Sequence, residues 1–222
     1  MIDHFALWTD LEWSIIDVET TGLSPQSCRV IEVAVVKMKH GKITTTFSSL
    51  LNPGCPIPAE ASRIHGITNA DVSGAPRFVD VLGRLCEITK GTVPVAYNEA
   101  FDRGFLTAEL ARLNMDGGIP ASAFSVEWPA WLDPLTWVRY IGRASSNKLV
   151  DACARWGVTI ENAHRAECDA VAAGALLWKI SSDIGQSTVS EVLRRQTRLS
   201  SARGDYAAGR QDPSPARRDP RT

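Results

Sequence analysis

The stretch Ile15-Ile16-Asp17-Val18-Glu19-Thr20-Thr21-Gly22-Leu23 decides how the rest of the chain is read. Its apolar, β-branched opening predicts a strand. Side chains alternate along a strand, so Asp17 and Glu19 emerge on one face while Ile16 and Val18 point to the other. Two carboxylates at a strand end, followed by a Gly-containing turn, predict a site for a hard cation facing something anionic.

Working outward, residues 13–18 are the first strand and residues 30–38 (Val-Ile-Glu-Val-Ala-Val-Val-Lys-Met) the second. Residues 43–51 are the third, with His40-Gly41-Lys42 between them as a tight hairpin. Residues 52–58 are Pro/Gly-punctuated loop, and a short helix over 59–66 ends in Ile64-His65-Gly66-Ile67-Thr68. An apolar-periodic helix over 78–88 precedes a short strand over 92–97. Asn98 then starts a helix carrying Phe101, Phe105, Leu106, Leu110 and Leu113 at helical spacing. Residues 131–138 are expected as a final strand, confined to an end or edge by Pro134. Helices are expected over 147–156, 165–184 and 188–199. This order predicts an α/β fold with a mixed five-stranded sheet, an antiparallel meander plus parallel strands, flanked by helices. Residues 1–185 form the expected domain. Residues 186–222 are expected as a C-terminal helix and a basic tail whose composition beyond Ser200 is that of a disordered segment.

Composition narrows the class. A chain of 222 residues, 44% hydrophobic and 22% charged, suits one domain with a full core. No apolar stretch is long enough to span a bilayer, and residues 1–10 lack the basic start of a secretory signal. Five scattered cysteines without a Cys-x-x-Cys pair argue for reduced thiols in a cytoplasmic compartment, against a zinc ribbon or disulfide frame. The net charge of −1 is unevenly spread. From residue 194 onward eight Arg face three Asp, leaving sixteen basic and twenty-two acidic residues before it. A nucleic-acid partner would therefore be held by metals and local contacts rather than by bulk charge.

Two further segments carry chemistry. Asn98-Glu99-Ala100-Phe101-Asp102 lies just past the fourth strand, with Asn98 as a helix cap and Asp102 one turn on. His164-Arg165-Ala166-Glu167-Cys168-Asp169 puts an imidazole just ahead of a helix and a carboxylate in its first turns. Each alone reads as an ordinary cap or dipole-favoured acid. Together, Asp-x-Glu, Asn-x-x-x-Asp and His-x-x-x-x-Asp in this order resemble the DnaQ-like family of 3′–5′ exonucleases, the DEDD class with a histidine base. Thr20-Thr21-Gly22-Leu23, Ile64-His65-Gly66-Ile67-Thr68 and Phe101-Asp102 extend the resemblance, which runs from about Trp13 to Leu177.

The resemblance implies an RNase H-like fold and phosphodiester hydrolysis at a nucleic-acid 3′ end, releasing nucleoside 5′-monophosphates. It implies two divalent cations, Mg²⁺ or Mn²⁺, roughly 3.5–4 Å apart. Asp17 would bridge them, Glu19, Asp102 and Asp169 would complete their shells, and His164 would be the general base. Thr20, Thr21 and Gly22 would meet the terminal nucleotide through N–H groups and hydroxyls, and Leu23 its base. His65, Asn98 and Phe101 would line the groove. Each of these substrate contacts has a plainer reading as turn, cap or core. The implied partner is a nucleic-acid 3′ end, single-stranded DNA ahead of RNA, met by a free-standing enzyme or by a proofreading subunit with a polymerase partner.

Some features depart from the family pattern. Tyr97 stands where a histidine is usual, Glu99 where a small residue is common, and Cys168 where leucine is more frequent. The Trp-rich stretch (Trp128, Trp131, Trp137) reads first as core or loop cover and second as a base-stacking platform. The alternatives are an exoribonuclease of the same fold, a haloacid-dehalogenase-type phosphatase, and a non-catalytic module. The phosphatase would need a Gly-Asp after an apolar strand, for which only Gly204-Asp205 is available.

Overall fold

The computed structural model describes residues 3, 5–115, 131–142, 144–161 and 164–208. Strands β1 (Trp13–Thr20), β2 (Val30–Lys39), β3 (Lys42–Leu50) and β4 (Val93–Val95) form one sheet in the order β3-β2-β1-β4. The first three pair antiparallel, and β4 runs parallel to β1. The β2–β3 turn is His40-Gly41 with φ of 49° and 72°, the left-handed pair that a two-residue hairpin requires.

Helices α1 (Ala59–His65), α2 (Asn69–Val72), α3 (Phe78–Thr89) and α4 (Glu99–Met115) bracket β4, and α5 (Pro134–Gly142) and α6 (Leu149–Trp156) follow. Helices α7 (Ala166–Lys179), α8 (Ser181–Ile184) and α9 (Val189–Ala208) complete the described chain. Most expected elements recur in order, but the helix expected over 165–184 breaks at Ile180 into α7 and α8, the short α2 is additional, and one element changes type. The strand expected over 131–138 is a single parallel bridge, Val95 to Leu132, and the chain then turns into α5. The physical reason lies at Asp133-Pro134. Asp133 Oδ1 accepts the Leu135 N–H at 2.9 Å and so caps the helix. Pro134 takes the first helical position, where a missing N–H costs nothing. The sheet thus has four strands among the described residues, with a fifth position held by one residue.

The β1 side chains sort the core. Trp13 and Ile15 face one layer, with Val36, Met38 and helices α5, α7 and α9. Ile16 and Val18 face the other, with α3, Phe105 and Leu106. Asp17 and Glu19 continue the parity of Trp13 and Ile15, so they point to the face that α7 covers. Helix α7 approaches closely because its inner side is Ala170, Ala173 and Gly174: a Cβ at Gly174 would meet Ile15 Cγ1 at 2.9 Å. That approach carries Asp169, in the first turn of α7, to the end of β1.

Trp131 and Trp137 are buried, as the core reading expects, while Trp128 lies outside the described residues. Helix α9 runs past Ser200 to Ala208, and Val189 and Val192 pack in the same core layer as α7. The remainder of the basic tail lies outside the described residues.

Candidate active site

Asp17, Glu19 and Asp169 offer carboxylate oxygens within 4.8 Å of one another, a candidate cation-binding cluster built by β1 parity and α7 packing. Asp102 comes from the first turn of α4 and is 3% exposed; its Oδ1 accepts the Val18 N–H at 3.1 Å. Glu19 stands opposite Glu32 in the β1–β2 register. Burial holds the Asp17 carboxyl well above the usual range, and Asp102, Glu19 and Asp169 push it the same way. Glu19 is raised to about 7 by burial, then by Asp169 and Glu32. Asp102 and Asp169 are raised too, again chiefly by burial. Hard oxygens that repel one another in a partly desolvated corner are the donor set a divalent cation fits.

His164 is exposed, has a left-handed φ of 70°, and donates its backbone N–H to Asp169 Oδ2 at 3.2 Å. Its backbone is thus tied to one member of the acid cluster at the start of α7. A groove of about 880 Å³ opens there, lined by Tyr97, Asn98, Arg139, Lys148, His164 and Asp169. Tyr97, in place of the family's histidine, donates its hydroxyl to the Asn147 carbonyl at 2.6 Å. Glu99 pairs with Arg103 at 2.7 Å.

The substrate-side expectations divide. Leu23 is 86% exposed, a large apolar side chain left in water. Thr20 and Thr21 are buried and serve the turn. The Thr20 hydroxyl donates to the Gly22 carbonyl, while the Thr21 N–H and hydroxyl bond to the Arg29 backbone. Arg112 of α4 reaches the carbonyls of Pro25 and Cys28, and Glu109 takes a bidentate pair from Arg29, so the Leu23 loop is clamped to the body. His65 is buried, its Nδ1 accepts the Ile67 N–H, and its ring also lies against the Thr20 backbone. Burial lowers its pKa. Phe101 is half-buried against Phe105 with ring centroids 4.8 Å apart. Asn98 adopts φ of 73° instead of an extended cap conformation, and its N–H goes to Asp133 Oδ1 at 2.9 Å.

Sequence reading missed three residues. Glu32 is an acid inside an apolar strand, a signal in itself, since a buried carboxylate needs a partner. The partner is Arg165, which grips it through Nε and Nη2, with the Ala166 N–H adding a third donor. Asp133 was legible from the Asp-Pro pair that marks a helix start.

An RNase H-like sheet whose central strand and helix α7 bring three carboxylates together, with Asp102 of α4 beside them, is the architecture of a DEDD-type nuclease. The chain belongs to the exonuclease family: residues 14–177 match the RNase_T family model, described as Exonuclease. It is a DnaQ-like exonuclease domain. It is 33% identical over 177 residues to the PolC-type DNA polymerase III of Latilactobacillus sakei subsp. sakei (strain 23K), a match covering 79% of this chain but only 12% of the polymerase. Exonuclease X, solved with 5′-overhanging duplex DNA, superposes with a TM-score of 0.64 at 27% identity, covering 83% of this chain and 99% of that one. The nuclease domain of 3′hExo, a DEDDh member bound to rAMP, shares the fold at TM-score 0.64 and 19% identity, covering 78% of this chain. No helix among the described residues is long and apolar enough to cross a membrane.

Proposed function

We propose that the chain removes nucleotides from the 3′ end of single-stranded nucleic acid, DNA in preference to RNA, and releases nucleoside 5′-monophosphates. The observation that carries this reading is the convergence of Asp17, Glu19 and Asp169 within 4.8 Å, with Asp102 beside them. These four acids would hold Mg²⁺ or Mn²⁺. Bound cations supply charge neutralisation at the phosphodiester and activate water.

The chain's own groups do the rest. His164 takes a proton from the attacking water as its oxygen bonds to phosphorus, the P–O3′ bond breaks, and the departing oxygen is protonated from solvent. The hydrogen bond from the His164 amide to Asp169 keeps the base beside the acids. Leu23 packs on the terminal base, supported by its exposure on a clamped loop. Asn98 borders the strand in the groove, and Arg139 and Lys148 meet its phosphates. Phe101 and His65, expected there, do not line that groove, and His65 is buried. Similarity to a segment of PolC-type DNA polymerases supports DNA as the substrate and a polymerase as partner. The phosphatase alternative loses its required context, because Gly204-Asp205 lies inside α9 and follows no strand.

The test is degradation of 3′- and 5′-labelled DNA and RNA oligonucleotides with Mg²⁺ or Mn²⁺. Stepwise loss from the 3′ end that disappears in Asp17→Ala and His164→Ala is the expected result. Equal activity in either folded variant would reject the assignment.

A further inference from the structure

Helix α9 begins beyond the last residue matched by the exonuclease family, yet it reaches the scaffold of the site. Gln196 is 7% exposed, and each end of its amide is used. Its Nε2 donates to the Trp131 carbonyl at 2.9 Å. Its Oε1 accepts the Asp133 N–H at 2.8 Å and the Trp137 Nε1–H at 3.2 Å. Asp133, 8% exposed, passes the constraint on. Its Oδ1 accepts the N–H groups of Asn98 and Leu135, each at 2.9 Å, and its Oδ2 the Thr136 hydroxyl at 3.0 Å.

We propose that Gln196 and Asp133 are positioning residues for the nuclease site, a proposal that rests on the function inferred above. Gln196 seats the segment through Trp131 and Asp133, and the Asp133 carboxylate holds Asn98 in the left-handed conformation that turns β4 into α4. Asn98 lines the groove with His164 and Asp169, and Asp102 follows it within one helical turn. A φ of 73° is a region that Asn visits more readily than most residues but that few residues choose unaided, so it persists where surrounding bonds over-determine it. The Gln196 amide suits the role because it supplies one donor and one acceptor to backbone groups of buried residues.

Two variants of the full chain separate this role from simple core stability. Gln196→Met keeps length and volume and removes the hydrogen bonds. Asp133→Ser keeps a side-chain cap for α5 but is too short to hold Asn98. In either variant the Asn98 amide is expected to exchange with solvent about tenfold faster or more, while amides of the β1–β2 ladder keep their rates. The kcat per folded molecule on a 3′-labelled single strand with Mg²⁺ is expected to fall about tenfold. Asn98→Gly adopts the same backbone unaided, so adding Gln196→Met to it should cause little further loss. Unchanged Asn98 exchange, or the same fold-loss with glycine at 98 as with asparagine, would overturn the proposal. A wild-type protein that cleaves no oligonucleotide would reject the functional reading instead, and the exchange measurement would still decide the relay.

Discussion

Two sets of desolvated acids behave differently in this molecule. Glu32 and Glu109 are each about 2% exposed, and both are matched: Glu32 by Arg165, Glu109 by Arg29 and Arg112. Asp17, Glu19 and Asp169 all feel the Glu32 charge, yet the salt bridges among the described residues leave them out, and their carboxyls are raised. Both sets are desolvated, the second less completely, and what separates them most is the arginines. The first set is neutralised from within and holds the strands, the Leu23 loop and α7 in place. The second waits for positive charge from outside, which is what a cation-dependent site requires.

The contrast is open to attack, and the largest effect falls on chemistry. Asp17→Asn should reduce nuclease turnover about a thousandfold while the metal-free protein melts no lower than wild type, because a repelled charge is removed. Turnover assays and thermal melts on one preparation check both halves. Arg165→Met should do the opposite. It strands Glu32 beside Glu19 and should cost about 3 kcal/mol of stability, read by urea denaturation.

Cations give the next effect. Mg²⁺ at a hundredfold excess over its Kd should stabilise the wild type by about 2.7 kcal/mol and Asp17→Asn far less. The pH dependence follows with a definite sign. A carboxyl with a raised folded pKa stabilises below its unfolded value and loses that contribution as pH rises through the folded one. For Glu19 the window runs from 4.5 to about 7, with Asp17, Asp102 and Asp169 acting in the same direction. The chelator-treated protein should therefore melt at higher temperature near the acid end of that window, and Mg²⁺ should flatten the slope. A metal-free melting point that rises across the window would break the comparison. The smallest effect belongs to Leu23→Ala, which should raise KM for a single strand about threefold and leave melting unchanged.

The meander, the helices around β4 and the acids were legible because they rest on local pattern: alternation along β1, helical spacing in α3 and α4, and motifs within a few residues. The final strand was misjudged because Trp131 to Val138 is apolar enough for either element, and the Asp133 cap with Pro134 settles it as helix. Asn98 could be named as a groove residue, but its left-handed backbone follows from a carboxylate 35 residues away. Thr20 and Thr21 stood out as motif residues, and only the folded loop shows their groups turned inward to Gly22 and Arg29.

By itself, the sequence determined which carboxylates exist and that Asp17 and Glu19 share a face, since alternation is a property of any extended L-peptide. Tertiary structure alone decided that Asp169 joins them, through the close seat Gly174 allows α7 on Ile15. It also decided which acids find arginines. Glu32 and Arg165 are 133 residues apart, and no local periodicity links them. Pairing depends on distance in space, and that is set by how the sheet and helices pack rather than by local preference.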